Sequence, residues 1–582
     1  MKYKNKIILT DFFDTVMFRH IHSSQIFVQW AKVILHRFPI LRKTLDNFHL
    51  QQMLHECRQE LHSKYEEPPY KEVIGYLYDR ISKTTNIGIS KDKFIEYSLQ
   101  VDIAIELGCQ YPNIQFINRL KKAKRKGAKI YIVSDFYLSA KCYETFLSKA
   151  HCKDLFDGIY VSVDYNRTKY KGDLYDYVIK DLGIDTNNVV MFGDSRHSDV
   201  KIPKQKGICS YWYFPFTHKI KTNISRKWKL DYGKSIIRQE RKRMYRDTLF
   251  EEYSLIIYYF LQKLSIRAKE LGANKLAFLS RGGYFLLESY NKMQFLLGDN
   301  EIKGEYCYNS RKVCFNAEKE KETKGDQYLF MQTYMDSFKS KNNNLYIVDE
   351  GWYNHSQQSM CKTFGFNIYG FYIGSCFKDA WDYDNVCHRE GLLFNYVSKT
   401  NKSKYYGIFC TNRSMYEQIL TAPHGSVIGY KKNSDNMTIS PILQYNDKEI
   451  YLYNKYIGEL QEKLLLDIQG LCVWLIGKNM EVTQLAKMIL RSSIFSNHER
   501  CMFLNELDAN RYDNCSNGKI KDKTIQNIKL DFKKIFVHPN EYVGIFAKLQ
   551  RKLDKNIFFR IAYYPVAFIF FIYTYLLTFY KH

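Results

Sequence analysis

The chain has 582 residues, more than one ordinary hydrophobic core can hold, so we expect about three or four domains. Lys and Arg outnumber Asp and Glu by 87 to 61. The resulting net charge of +26 favours binding partners that carry phosphates or anionic lipid headgroups. Without an RNA-binding motif the charge does not favour nucleic acid as a partner. The 14 Cys include no CxxC pair, and no secretory leader precedes the strand at residue 6, so we expect a reducing cytoplasm.

Three short apolar runs near the N-terminus end in polar residues. The first ends at Asp11, the second at Ser134, and the third just before Asp194, with Asp199 shortly after it. Such runs are typical of buried parallel strands, whose carboxyl ends converge on one crevice of an open α/β sheet. Lys169 lies between the second and third runs. The sequence therefore predicts a crevice that holds carboxylates, a hydroxyl and a lysine.

These residue types suit metal-assisted phosphoryl chemistry. Asp11 can attack phosphorus through its carboxylate, while Ser134 and Lys169 hold the phosphoryl oxygens. Asp194 and Asp199, together with Asp11, offer hard oxygen ligands to Mg²⁺. In this order the segments resemble the motifs of the haloacid dehalogenase-like superfamily of phosphohydrolases. The resemblance implies a Rossmann-like α/β phosphatase domain over residues 1–215.

One position departs from that family's pattern. Its phosphatases usually carry a general acid two residues after the nucleophile, where this chain has Phe13. The next acid is Asp14, which either serves by a shifted geometry or only caps the following turn. We therefore count Asp14 among the catalytic candidates. Without a general acid the reaction would be slower by on the order of 10²–10⁴, and a degenerate or regulatory site is the alternative.

The next segments read as helical. Residues 16–110 carry apolar residues at helical spacing, and in the superfamily an insertion at this point forms a cap over the site, so we expect a helical cap here. Residues 216–250 predict a basic helical connector. Its stretch 238–246 is typical of a solvated helix face rather than of a nucleic-acid contact.

A second α/β pattern occupies residues 251–430. Backbone N–H groups of a glycine loop can approach a phosphate closely, and an acidic pair at a strand end suits the paired hydroxyls of a ribose. The candidates are Ser280, Arg281, Gly282 and Gly283 in a first loop, Arg311 after the next strand, and Asp349, Glu350 and Ser356 in a last segment.

In this order the segments resemble the type I phosphoribosyltransferases. There the first loop holds pyrophosphate, and the acidic pair with its following loop holds the ribose 5-phosphate of phosphoribosyl pyrophosphate. The match is partial, because Asn354-His355-Ser356-Gln357 stands where that family has Thr-Gly-x-Thr. Ser356 can still donate a hydroxyl. An ordinary Rossmann-like domain with a turn at Gly282-Gly283 is the alternative.

The fused arrangement resembles bacterial surface-polysaccharide enzymes that join a haloacid dehalogenase-like phosphatase to a divergent phosphoribosyltransferase. These enzymes install ribofuranose in two steps. The resemblance implies Mg²⁺, phosphoribosyl pyrophosphate and a glycan or lipid-linked glycan acceptor. The alternatives are a plain phosphatase with a non-catalytic recruitment domain, a catalytically decayed membrane adaptor, and a different donor in the second domain.

The C-terminal part predicts helices over residues 431–555 and a hydrophobic helix over 556–582. Residues 561–580 carry no charge, and about twenty helical residues span a bilayer core. Pro565 and the tyrosines leave an in-plane helix open, and a buried terminal helix is a third possibility. We expect attachment to the inner membrane surface, with upstream cations facing anionic headgroups: Lys548, Arg551, Lys552 and Lys555.

Overall fold

The computed structural model describes residues 6–228, 232–233, 236, 250, 252–376, 387–398, 401–411, 413–433, 438–496, 498–510, 512–513, 518–519, 539–553 and 557–579. The basic stretch 238–246 lies outside the described residues. The chain divides into two compact units. The first comprises Met1–Ile236, Leu296–Gly298 and Gln469–Lys478, and the second comprises Ile237–Phe295, Asp299–Ile468 and Asn479–His582.

The first unit is built on a five-stranded parallel sheet and a small antiparallel pair. Its strands are β1 Ile7–Thr10, β2 Met17–Arg19, β3 Gln110–Pro112, β4 Lys129–Ser134, β5 Gly158–Val161, β6 Val189–Gly193 and β7 Cys209–Trp212. The large sheet has the order β5-β4-β1-β6-β7, and β2 pairs with β3. The order reverses between β1 and β6, and in such sheets the ligand crevice lies at the carboxyl ends of these two strands.

Helices surround this sheet, and four of them lie between β2 and β3, in the segment predicted as a helical cap. The helices are α1 Ser24–Arg37, α2 Asn47–Leu61, α3 Tyr70–Ser82, α4 Lys91–Cys109, α5 Ile114–Lys124, α6 Ala140–Lys149, α7 Ser162–Tyr165, α8 Asp173–Leu182, α9 Ile202–Gln205 and α10 Phe216–Lys227. A short π-helical turn, Arg196–Lys201, follows β6. Asp46 caps α2 by accepting a hydrogen bond from His49 N.

The central strands are apolar because both faces of the sheet are covered. Leu9 of β1 and Met191 of β6 are fully buried in one cluster with Leu174 and Val178 of α8. Burial of each such side chain contributes roughly 1.5–3 kcal/mol. Polar residues are therefore confined to the strand ends, where the candidate site lies.

The second unit contains another five-stranded parallel sheet. Its strands are β8 Lys275–Leu279, β9 Lys303–Cys307, β10 Leu345–Trp352, β11 Ile368–Cys376 and β12 Cys387–Tyr396, followed by the pairs β13 Ser426–Lys432 with β14 Ile439–Gln444 and β15 Tyr512–Asp513 with β16 Gly518–Lys519. The order is β12-β11-β10-β8-β9, so it reverses between β8 and β10. The same rule places a crevice at the ends of these two strands.

The helices of the second unit flank the sheet and then form the C-terminal part. They are α11 Glu252–Glu270, α12 Gly283–Leu297, α13 Arg311–Lys319, α14 Asp326–Asp336, α15 His355–Phe364, α16 Tyr406–Cys410, α17 Arg413–Ile419, α18 Asp447–Leu452, α19 Gly458–Trp474, α20 Val482–Ile494, α21 His498–Asn510, α22 Val543–Leu553 and α23 Ile557–Phe579.

The predicted fold class is confirmed: a Rossmann-like domain, a second parallel α/β sheet and a helical C-terminal region are all present. The domain boundaries predicted at residues 215, 250, 430 and 555 stay predictions.

Candidate active site

The candidate active site of the first unit lies at the reversal point of its sheet. Asp11 directly follows β1, and Asp194 directly follows the adjacent β6. Ser134 ends β4, the neighbour of β1 on the other side. The sheet thus brings residues far apart in sequence to one edge.

Lys169 joins two of the predicted acids. Its Nζ lies 2.6 Å from Asp11 Oδ1 and 2.7 Å from Asp199 Oδ1, and all three side chains are buried. Burial raises the pKa of Asp11 well above its usual range, although Lys169 acts against this. Burial lowers the pKa of Lys169, but the two carboxylates outweigh it and the net pKa is raised. Lys169 is therefore a fixed cation at the carboxylates.

The acids also fit a divalent metal. Ligand oxygens of Asp11, Asp194 and Asp199 all lie within 4.8 Å of one another. A Cβ at Gly193 would lie 2.3 Å from Asp199 Cγ, so only glycine leaves room for that carboxylate. Ser195 N donates to Asp199 Oδ2 at 3.0 Å and holds it in place. Carboxylate oxygens are the ligands that Mg²⁺ prefers, so these residues could hold it.

Asp135 and Tyr143 position the residues of this cluster. Asp135 accepts hydrogen bonds from Lys169 N at 2.7 Å and from Tyr170 N at 3.2 Å, which fixes the loop that carries Lys169. The Ser134 hydroxyl accepts a hydrogen bond from Tyr143 at 2.9 Å and is buried at the strand end. Sequence reasoning could have found Asp135, since it directly follows Ser134 in the second motif.

Asp14 occupies a place that the sequence did not predict. It has a left-handed backbone (φ 58°), accepts a hydrogen bond from His218 Nε2 at 2.9 Å and forms an ion pair with Lys219. Although burial acts in the opposite direction, these two partners lower the pKa of Asp14 well below its usual range. A carboxyl that stays ionised cannot donate a proton. Asp14 is thus held by His218 and Lys219, and its predicted catalytic role stays a prediction.

Phe13 belongs to an aromatic cluster. Its ring lies 4.4 Å from the ring of Phe136 and 4.8 Å from that of Phe12, and the Arg19 guanidinium carbon lies 3.7 Å from its centroid. Arg19 is in turn held by two hydrogen bonds to Glu106, at 2.7 and 2.8 Å. The Phe13 side chain is thus packed among rings and a guanidinium and has no proton to donate.

The second unit brings the glycine loop against the acidic pair. A Cβ at Gly282 would lie 1.5 Å from Glu350 Oε2 and 3.0 Å from Asp349 Oδ1, so the loop backbone directly faces both carboxylates. Burial and the Glu350 charge raise the pKa of Asp349 well above its usual range, and burial raises that of Glu350. The buried Glu350 Oε2 has no hydrogen-bond partner among the described residues. Helix α12 begins at Gly283, directly after this loop, and its Tyr284 N donates a hydrogen bond back to Arg281 O at 3.1 Å.

The other candidates of this unit have mixed surroundings. Arg281 is bonded to Glu449 at 2.8 Å, and the Ser280 hydroxyl donates to Asn309 O at 2.7 Å. The positive charge of Arg311 acts to lower the pKa of Asp349, although burial and Glu350 outweigh it. Ser280 ties two loops together.

Sequence reasoning missed several residues at both sites. His218 and Lys219 lie in the basic connector, where one lysine cannot be told from another. Glu449 and Asn309 lie in segments without a motif. Only the folded chain brings these residues to the sites.

A parallel Rossmann-like sheet with a buried lysine and three acids at its reversal point is typical of a Rossmann-like hydrolase domain that acts on phosphoryl groups. Residues 32–212 match the family Haloacid dehalogenase-like hydrolase, a range that begins after Asp11 and includes Ser134, Lys169, Asp194 and Asp199. Residues 32–212 therefore form a haloacid dehalogenase-like hydrolase domain.

Solved structures also match this part of the chain. They include a 2-haloacid dehalogenase from Pseudomonas syringae pv. tomato DC3000 (12% identity, TM-score 0.29, 36% of this chain and 86% of that chain). A HAD phosphatase from Thermococcus onnurineus matches with 17% identity and TM-score 0.26, over 36% and 85% of the two chains. A HAD family enzyme from Bacteroides thetaiotaomicron, in complex with magnesium and inorganic phosphate, matches with 15% identity and TM-score 0.25, over 36% and 93%. No protein of curated function matches the chain.

Proposed function

We propose that this protein adds ribofuranose to a bacterial surface glycan in two steps. The second unit transfers 5-phosphoribose from phosphoribosyl pyrophosphate to a hydroxyl of a glycan or lipid-linked glycan. The first unit then hydrolyses the 5-phosphate. The observation that supports this most is the pairing in one chain of a phosphoryl-type cluster, Asp11 with Lys169, and an anion loop facing the acidic pair Asp349 and Glu350.

The transfer step displaces pyrophosphate from the anomeric carbon. The acceptor oxygen forms the new bond to that carbon, the bond to the pyrophosphate oxygen breaks, and the acceptor proton is released. The amides at the start of α12 can bind the departing phosphates, and the carboxylates can accept hydrogen bonds from the ribose hydroxyls. Arg281 could add charge only by leaving Glu449, to which it is bonded at 2.8 Å.

The hydrolytic step uses the carboxylate of Asp11 as nucleophile. An Asp11 oxygen bonds to phosphorus, the bond from phosphorus to the ribose 5-oxygen breaks, and that oxygen takes a proton from solvent because Asp14 is held ionised. Water then cleaves the aspartyl phosphate and releases inorganic phosphate. Lys169 and Ser134 hold the phosphoryl oxygens. Mg²⁺ held by Asp11, Asp194 and Asp199 would offset their charge.

Fusion and location fit the same proposal. A covalent link between the two units raises the local concentration of the phosphorylated intermediate at the hydrolytic site. We place the protein in the cytoplasm at the inner membrane surface, where a lipid-linked glycan would be available.

A plain phosphatase with a recruitment domain is the second candidate. The bond between Arg281 and Glu449 favours it, since this pairing withdraws the cation predicted to bind pyrophosphate.

One experiment separates the two. The purified chain is incubated with phosphoribosyl pyrophosphate, Mg²⁺ and glycan acceptors, and product masses are followed. Wild type should add a pentose, Asp11→Asn should stop at a phosphopentose, and Asp349→Asn with Glu350→Gln should add nothing. Hydrolysis of a supplied phosphopentose without any transfer would contradict the two-step proposal and favour the plain phosphatase.

A further inference from the structure

Helix α23 has two opposite faces. The exposed stripe is uncharged and apolar; Ile569 on it is 69% exposed and Leu576 is 53% exposed. The buried stripe recurs every three or four residues, as one face of a helix does, and consists of Tyr563, Ala567, Phe570, Thr574 and Thr578. Residues Ile561–Phe579 form the one helix of the described residues that is long and apolar enough to cross a membrane.

The buried stripe is attached to the second unit along the whole helix. Near its start, the Tyr563 hydroxyl donates to Ile494 O at 3.0 Å. In the middle, the rings of Phe570 and Phe546 stack 3.7 Å apart. Near its end, Lys487 Nζ lies 5.1 Å from the ring of Phe579. A helix that crossed the bilayer would break these contacts or draw the charged Lys487 into hydrocarbon, which is unfavourable.

The charges next to this helix indicate what covers its exposed face. Two helices that pack on it, α20 and α22, contain no acidic residue, and their cations are Lys487, Arg491, Lys548, Arg551 and Lys552. The short turn Pro539–Tyr542, which also packs on it, contains one acid, Glu541. Because these elements together carry a net positive charge, a second copy docked on the same face would bring like charges together. Anionic lipid headgroups would instead complement this positive charge.

We propose that α23 lies in the plane of a membrane as a monotopic anchor. Its exposed stripe enters the boundary between headgroups and acyl chains, to a depth of about 5–10 Å. Its buried stripe stays on the second unit, and the cations of α20 and α22 meet anionic headgroups. The protein thus lies on one side of the bilayer. This inference is independent of the chemistry proposed above.

Vesicle flotation of the full chain tests the surface. Binding should be stronger to vesicles of phosphatidylcholine with phosphatidylglycerol than to phosphatidylcholine alone, and should weaken with added salt. The variant Ile569→Glu with Leu576→Glu should lose at least about tenfold in binding, since one lost apolar insertion already has that value. Phe48→Glu, on an exposed helix position of the first unit (69% exposed), should bind as wild type does.

Protease access to a C-terminal tag tests the orientation. With protein added to the outside of sealed vesicles, an in-plane helix leaves the tag open to cleavage, whereas protection of the tag would overturn the proposal in favour of a spanning helix. Undiminished vesicle binding by the double variant would also overturn it. So would self-association without vesicles that the double variant abolishes, because a second copy would then cover the face. The milder variant Val566→Ser with Ile572→Ser should also weaken vesicle binding. Unfolding temperatures of all variants show whether a loss of binding comes from misfolding.

Discussion

Lys219 Nζ lies 2.8 Å from Asp194 Oδ2 and also forms an ion pair with Asp14, so that one lysine joins the first motif of the hydrolase domain to the last. Burial lowers the pKa of Lys219, but the two carboxylates outweigh it and the net pKa is raised, which keeps the lysine charged. The charged Lys219 therefore lies beside Asp194, a candidate metal ligand, in a site that has Phe13 two residues after Asp11.

Lys219→Met should reduce phosphatase kcat/KM by roughly 10–100-fold, because it leaves Asp14 and Asp194 without their shared cation. The measurement is hydrolysis of a phosphopentose and of p-nitrophenyl phosphate. Lys219→Arg should recover part of the activity. Lys221→Met, an exposed lysine of the same helix, should behave as wild type, and an equal loss in that control would contradict a specific role for Lys219.

Gly193→Ala should abolish Mg²⁺-dependent hydrolysis while the chain stays folded. The added Cβ would lie 2.3 Å from Asp199 Cγ, so Asp199 must leave its bond with Lys169. We expect a loss of roughly 100-fold, at the upper end of the 10–100-fold that altered supports of metal ligands typically cost. Gly158→Ala is the control in β5 of the same sheet. Its Cβ would contact the Tyr131 ring at 3.0 Å and the Tyr160 ring at 4.0 Å but no site residue, so this variant should keep most of the activity. Full activity of the Gly193 variant would count against the assigned metal site.

Asp349→Asn should bind phosphoribosyl pyrophosphate about tenfold more weakly, since losing a hydrogen-bond partner for a buried ribose hydroxyl costs about 1–3 kcal/mol. It should nevertheless melt above wild type at neutral pH. Burial and Glu350 raise the pKa of Asp349 in the folded chain, so the unfolded chain releases this proton more readily. The free energy of unfolding therefore falls as the pH rises from about 4 towards the raised pKa. Because Asn cannot ionise, the variant does not lose this stability.

Calorimetric titration with the ligand and thermal unfolding at acid and neutral pH measure these two effects. The melting advantage of the Asn variant should shrink as the pH falls towards about 4 and should vanish below it, where the carboxyl becomes protonated in the unfolded state as well. A variant that melts below wild type at every pH would show that Asp349 is structural.

Gly282→Ala should block phosphoribosyl transfer and leave hydrolysis intact. Its Cβ would lie 1.5 Å from Glu350 Oε2, so the loop must move off the acidic pair. Gly458→Ala is the matched control, because its Cβ makes only an ordinary contact with the Tyr453 ring at 3.5 Å. Mass analysis of glycan products measures transfer, and hydrolysis of a phosphopentose measures the other step. Transfer at wild-type rate would rule out this loop as the pyrophosphate site.

Much of the first site could be predicted because several of its polar residues lie at the ends of apolar strands. Apolar runs mark β1, β4 and β6, and parallel strands must deliver their terminal residues to one edge. Asp11 and Lys169, far apart in sequence, therefore meet at 2.6 Å as the motifs indicate. The state of Asp14 could not be predicted, because its partners His218 and Lys219 follow the last strand in a segment without a motif.

In the second unit the sequence indicated that two loops lie at one edge of the sheet, but not which side chains from other segments contact them. The close approach of Gly282 to Glu350 follows from the neighbouring positions of β8 and β10 in the sheet. The pairing of Arg281 with Glu449 depends on α18, which is remote in sequence.

The sequence by itself determined the fold class, the acids and lysine of the hydrolase site and the apolar character of the C-terminal helix, because each depends on local periodicity or on a strand end. Only the tertiary structure decided that Asp14 contacts His218 and Lys219, which lower its pKa, and that one stripe of α23 is buried while the other is exposed. Both depend on side chains that meet across long stretches of chain, since burial and the nearest charges set a pKa and packing on one side sets a helix face.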